Sequence, residues 1–152
     1  MQPHQIIYLA SKSPRRRELL KQIGVHFELL MMREQAPRID VDESPFPEET
    51  AHAYVQRIVK LKAETAMKVM RQRRLPVRPV LTADTTVALD GHILGKPLDK
   101  ADAMRMLARL SGESHQVLTA VAVGVDHEIR QTLTTSFVTF DKLTEEDIKR
   151  YV

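Results

Sequence analysis

Apolar positions along the chain fall into short continuous runs that alternate with longer stretches of helical period. Ile6 to Ala10 is a run suited to a buried strand. Ser13 then offers an N-cap and Pro14 an N1 residue for a helix through Ile23, stopped by Gly24. Val25 to Leu30 reads as a second strand, and the proline- and acid-rich stretch from Gln35 to Pro47 as a loop. A long helix is predicted from about Glu48 to Arg74, ended by Pro76 and Pro79. Val80 to Leu89 follows as a strand, with Asp90-Gly91 as a two-residue turn back through His92-Ile93-Leu94. Asp99 caps a helix through Leu110 that Gly112 closes. Gln116 to Val125 and Ile129 to Phe140 are strand-like neighbours joined around Asp126-His127. Thr144 with Asp147 resembles a capping box for a last helix. That helix reaches Tyr151-Val152 without a stop signal, so the natural chain is expected to continue or to be a shortened form. The alternation predicts a single α/β domain over residues 1–152.

Composition narrows the class. A length of 152 residues suits one domain with its own core. The 43% hydrophobic and 28% charged fractions are those of an ordinary globular protein. A net charge of +3 does not by itself demand nucleic acid. Cysteine is absent, which removes disulfides, thiolate metal sites and a thiol nucleophile. The longest apolar run, Val117 to Val125, falls far short of the roughly 18 residues a membrane helix needs. The start, Met1 to Gln5, lacks the features of a signal peptide. A soluble, cytoplasmic protein is expected.

Three placements run against local preference. Ser11-Lys12-Ser13-Pro14-Arg15-Arg16-Arg17 puts cations in the first turn of a helix, where the macrodipole is already positive. An anion docked there would make the arrangement favourable, since the turn supplies backbone N–H groups and guanidinium forks together. The alternative is a solvated basic patch with Ser13 as a plain cap. Lys62 falls among Ala51, Tyr54, Val55, Ile58, Thr65, Ala66 and Val69 on the apolar face of the long helix. Its amine needs a carboxylate, a ligand, or a route along its own stem to water. Asp84 interrupts a strand that is otherwise apolar and threonine-rich. There it holds a metal ion, activates water, or bonds a neighbouring loop backbone.

Other signals are weaker. Gly91 to Pro97 superficially looks like a P-loop, but the glycine spacing is one short and Pro97 takes the Ser/Thr place. Lys96 remains available to a phosphate as a point charge. Asp42-Glu43 offers metal oxygens or is a solvated acidic loop. His115 has no second His at ligand spacing and reads as structural or as a hydrogen-bond donor rather than a zinc ligand. The basic stretch Lys68 to Arg78 is the only one to suggest nucleic acid, and it lacks interleaved aromatics.

Together, Ser11-Lys12-Ser13-Pro14-Arg15-Arg16, Val41-Asp42-Glu43, Lys62-Ala63, Ala83-Asp84-Thr85, Gly95-Lys96-Pro97 and Leu110-Ser111-Gly112 with His115 and Val117 resemble the Maf family, in order and spacing from Ile6 to Val152. The resemblance implies an elongated mixed sheet flanked by helices, similar to the inosine triphosphatase group. It implies a nucleoside triphosphate pyrophosphatase that yields a monophosphate and pyrophosphate with a divalent cation, Mg²⁺ or Mn²⁺. Arg15 and Thr85 match the subgroup that prefers dTTP and UTP over 7-methyl-GTP. By the same resemblance Ser11, Arg15, Arg16, Thr85, Lys62 and Lys96 are substrate or phosphate contacts, and Glu43 and Asp84 are metal and water-activating carboxylates. Lys62 joins Asp84 and Glu43 among the expected catalytic groups. A homodimer is compatible with the family, membrane association is not expected, and nucleic acid is a minor expectation. Family members continue past this point with a further segment, so the domain is expected to be C-terminally incomplete. The rival expectation is a non-catalytic nucleotide- or nucleic-acid-binding protein that affects septum formation.

Overall fold

A computed structural model describes residues 5–32 and 40–152. The chain order is β1 (Ile7–Leu9), α1 (Pro14–Gln22), β2 (Phe27–Leu29), α2 (Ala51–Gln72), β3 (Val80–Leu89), β4 (His92–Leu94), α3 (Lys100–Leu110), β5 (Ser114–Val125), β6 (Glu128–Thr139) and α4 (Glu145–Tyr151). The architecture is α/β, as the sequence pattern predicts, with the mixed sheet and flanking helices that the family resemblance implies. Residues 1–4, and positions 35–39 of the expected loop, lie outside the described residues.

Local chemistry sets the element ends. Ser13 Oγ accepts from the Arg16 amide at the start of α1. Gly24, at φ 76°, closes α1 with Val25 N–H donating back to the Leu20 carbonyl. Helix α2 is shorter than Glu48 to Arg74. Glu48 and Arg74 both have positive φ, 61° and 55°, which a continuing helix excludes, and Thr50 provides the N-cap. Asp90 and Gly91 take φ 50° and 77°, the pattern of a tight hairpin turn. Thr144 and Asp147 form the reciprocal capping box at the start of α4.

The six strands form one sheet, five of them in the order β2-β1-β3-β5-β6 and β4 paired with β3 off this path. β1 is parallel to both β2 and β3, whereas β3, β5 and β6 run antiparallel in turn. β5 borders one side of β3 from Val80 to Ala88. The other side of β3 is shared. β1 pairs only with Val80 and Leu81, and β4 only with Val87 to Leu89. Between them, among the described residues, no strand lies on that side of the middle of β3, which leaves a notch in the sheet at residues 82–86.

Helices α1 and α2 cover opposite faces. The crossovers β1-α1-β2 and β2-α2-β3 run in opposite directions along the sheet, so a common right hand puts their helices on different sides. α2 supplies more of the core than any other element among the described residues. Val55, Ile58, Val59, Ala63 and Ala66 are fully buried against Val80, Leu118, Ala120 and Ala122. The buried stripe is rotated from the predicted one toward Val59, Ala63, Met67 and Met70, so Thr65 is only half-buried and Lys62 lies nearer the stripe's edge. Among the described residues no helix is long and apolar enough to cross a membrane.

Candidate active site

The notch in β3 brings the unusual residues together. Strand side chains alternate between faces, so neighbouring Asp84 and Thr85 address opposite sides of the sheet. Asp84 faces α2, where its Oδ1 accepts from Lys62 Nζ at 3.1 Å. Thr85 meets α1, where Arg16 donates to its Oγ1 at 3.5 Å. Arg16 also donates to Ser11 Oγ at 3.3 Å, and Ser11 Oγ takes the Ser13 amide at 3.1 Å. The polar groups at the head of α1 are therefore bonded to Thr85, the chain neighbour of Asp84. Thr119, beside Thr85 on β5, extends this polar row with an Oγ1–Oγ1 distance of 3.2 Å.

Lys62 also reaches Glu43, with Nζ 2.8 Å from Oε1. Its amine thus bridges two carboxylates from separate segments. Burial alone would push the Lys62 amine down, but Asp84 and Glu43 outweigh it and hold the group above its ordinary value. The amine stays cationic across the neutral range. Asp84 Oδ2 accepts from Thr86 Oγ1 at 3.4 Å.

A cleft of about 500 Å³ opens beside this group, with Glu43, Tyr54, Asp84, Val87, Ile93 and Lys96 among its lining residues. Lys96 is exposed at its rim, on the segment that follows β4. Arg15 is exposed, and Ser11, Arg15, Arg16 and Lys62 are not among the residues that line the cleft. His115 lies elsewhere. It is buried at 6% exposure with its ring edge-on to Phe140, and its Nδ1 finds no hydrogen-bond partner among the described residues. In the basic stretch Lys68 to Arg78, Arg78 pairs with Glu28 at 3.1 Å and Arg71 donates to the Asp126 carbonyl at 3.5 Å.

Among the described residues no group of three or more His, Cys, Asp and Glu gathers as a metal cage. Glu43 and Asp84 offer two hard carboxylates that share Lys62. Such a pair suits Mg²⁺, which binds through one or two carboxylates and completes its shell with waters and substrate phosphates. The donor set fits a divalent cation that arrives with a polyphosphate.

Sequence reasoning did not find the residues that hold Glu43 in place. Tyr54 was assigned to the apolar stripe, yet its hydroxyl donates to the Glu43 carbonyl at 2.7 Å. A buried phenol needs a partner, and that need was the available signal. Burial chiefly, with help from the Asp84 and Glu43 charges, pushes the Tyr54 hydroxyl up, so it remains a donor. Arg57, expected on the polar face, clamps Glu49 with two bonds of 2.7 and 2.9 Å.

A family model described as Maf-like protein matches residues 6–152. The chain belongs to the Maf family. It is 47% identical over 147 residues to a protein of Dechloromonas aromatica named dTTP/UTP pyrophosphatase, covering 96% of this chain and 73% of that protein. A protein of the same name from Nitrosospira multiformis is 52% identical over 147 residues, covering 96% and 71% respectively. The Maf fold extends to a HAM1 protein from Coxiella burnetii, which superposes with a TM-score of 0.53 at 14% identity over 87% of this chain and 72% of that one.

Proposed function

We propose that this Maf chain is a nucleoside triphosphate pyrophosphatase of the cytoplasm that hydrolyses dTTP and UTP. Residues 1–152 act in it as one domain. The observation that carries the proposal is Lys62, bridged to Glu43 and Asp84 beside a cleft lined by Glu43, Asp84, Thr85 and Lys96, with Arg16 bonded to Thr85 and to Ser11. The relatives named above as dTTP/UTP pyrophosphatases supply the substrate class.

Hydrolysis of an α–β phosphoanhydride breaks one P–O bond and adds one water. The nucleoside monophosphate keeps the water oxygen, and pyrophosphate leaves. Such transfers are accelerated mainly by positioning and by neutralising the oxygens that gain charge. Arg16, Lys62 and Lys96 provide cations for the phosphate oxygens, with Ser11, Arg15 and Thr85 as further substrate contacts. Asp84, the more enclosed carboxylate, orients the attacking water and accepts its proton. Glu43 and Asp84 are the residues that would hold a divalent cation. When bound, such an ion supplies charge neutralisation at the phosphates and lowers the pKa of a coordinated water.

The test is pyrophosphate release from dTTP, UTP, CTP, GTP and 7-methyl-GTP with Mg²⁺ or Mn²⁺. Release selective for dTTP and UTP, and lost on chelation, is the expected result. Release from 7-methyl-GTP alone would overturn the substrate assignment. No release from any nucleotide would overturn the enzymatic one.

A further inference from the structure

The segment that carries Glu43 has no regular structure of its own, yet Glu43 must sit within bonding distance of an amine on α2. Four contacts to the same helix account for its placement. Tyr54 Oη donates to the Glu43 carbonyl at 2.7 Å. Arg57 donates from Nε and a terminal nitrogen to the two oxygens of Glu49, at 2.7 and 2.9 Å, and again to the Ser44 carbonyl at 3.1 Å. Its guanidinium also stacks on the Phe46 ring, 3.8 Å from the centroid. Phe46 is 59% exposed, so this ring is held by the cation rather than by the core. Glu49 is nearly enclosed, with 8% of its side chain exposed, and its carboxyl is held below the usual range chiefly by Arg57.

A planar, bidentate and stacked cation is an arrangement that lysine cannot reproduce. One side chain thus contacts residues 44, 46 and 49, and the next turn of α2 carries Tyr54 to residue 43. We propose that Arg57 is a positioning residue: with Tyr54 it latches residues 43–49 onto α2 and thereby fixes the Glu43 carboxylate beside Lys62. The consequence for turnover rests on the proposed pyrophosphatase activity, whereas the latch itself does not. Arg57 touches neither Lys62 nor Asp84 in any recorded bond, so its influence on the chemistry must pass through Glu43.

A double-mutant cycle on the full chain tests this, with a second readout that needs no activity. Arg57→Met is expected to lower kcat/KM about ten- to a hundredfold, the usual loss when an outer partner of a ligand residue is removed. In a Glu43→Gln background the same change is expected to cost no further turnover, since Arg57 acts only through that carboxylate. Glu49→Gln breaks the latch from the loop side and should give the same pattern, which covers the case in which Arg57→Met folds poorly. The chain has no cysteine. A nitroxide on Pro47→Cys therefore reports the loop alone, and its spectrum should show greater mobility in both latch variants. An equal loss of turnover with and without Glu43 would overturn the proposal, as would an unchanged nitroxide spectrum. If the parent chain cleaves no nucleotide, the pyrophosphatase reading fails and the nitroxide decides the latch by itself. Increased mobility then supports it, and an unchanged spectrum overturns it.

Discussion

Lys62 and Asp84 meet between the middle of α2 and the middle of β3, with Nζ 3.1 Å from Oδ1 and only 16% and 14% of their side chains exposed. Each charge is out of bulk water and is tolerable because the other is present. Lys62→Met is expected to destabilise the fold by about 2 kcal/mol, below the figure for a fully buried pair because some solvent reaches both groups. Part of the loss should return in Lys62→Met with Asp84→Asn, which removes the stranded carboxylate. Denaturant unfolding of the parent, both single variants and the double variant measures this. Simple additivity would mean that the two groups are not coupled.

Asp84→Asn keeps the shape of the side chain and its place opposite Ala120 on β5. It removes the group proposed to accept the proton from water. Turnover of dTTP should fall by a factor on the order of 10² to 10⁴, the usual worth of a positioned base. Binding of a non-hydrolysable dTTP analogue should change far less, because Arg16 and Lys96 remain. Calorimetric titration beside the kinetic assay separates the two. Retained turnover would remove Asp84 from the proposed role.

The elements were legible because their signals are local. Ser13-Pro14, Gly24, Asp90-Gly91 and Thr144 with Asp147 each act within a few residues. The overlong α2 at Glu48 and Arg74 arose because positive φ at a charged residue leaves no mark in the hydrophobic pattern. Lys62 and Asp84 stood out singly, as charges set in apolar surroundings, and both find a partner in the fold. Glu43, the second carboxylate on Lys62, reads from the sequence as a source of metal oxygens or as part of a solvated loop. Its placement depends on Tyr54 and Arg57, whose contacts to residues 43–49 are tertiary and follow no helical or strand period. The notch at residues 82–86 was likewise invisible, since it arises from where β1 ends and β4 begins along β3.

The pH response of the latch follows from its charges. The Glu49 carboxyl titrates lower in the fold than in the unfolded chain, principally because Arg57 bonds its ionised form. Its contribution is therefore present above the ordinary carboxylate value of 4.5 and is lost as pH falls through the depressed folded value. Lys62 behaves in the opposite sense. Its folded value is raised, so its contribution holds below 10.5 and disappears only as pH climbs past the raised folded value. The stability difference between the parent and Glu49→Gln should thus be flat from neutral pH down to about 5 and should shrink below that. Unfolding curves between pH 3 and pH 8 test it. A difference that grows on acidification would contradict the sign of the Arg57 contribution.

Gly124 illustrates how tightly α2 sits on the sheet. It lies buried in β5 opposite Val80 and Ile129, and a Cβ built there would run into the Met67 sulfur, with the Met67 Cγ at 3.2 Å. Met67 is itself 5% exposed, in the cluster with Tyr8, Met70 and Val80, so it has little room to withdraw. Gly124→Ala should cost about 1–3 kcal/mol through overpacking, despite the ordinary preference of strands for residues other than glycine. Shortening the partner should reverse the sign. In a Met67→Ala background the added methyl fills space vacated by the thioether, and Gly124→Ala should become neutral or stabilising. Thermal unfolding of the four proteins measures the coupling. If Gly124→Ala is equally destabilising in both backgrounds, close approach to Met67 is not the reason glycine stands at this position.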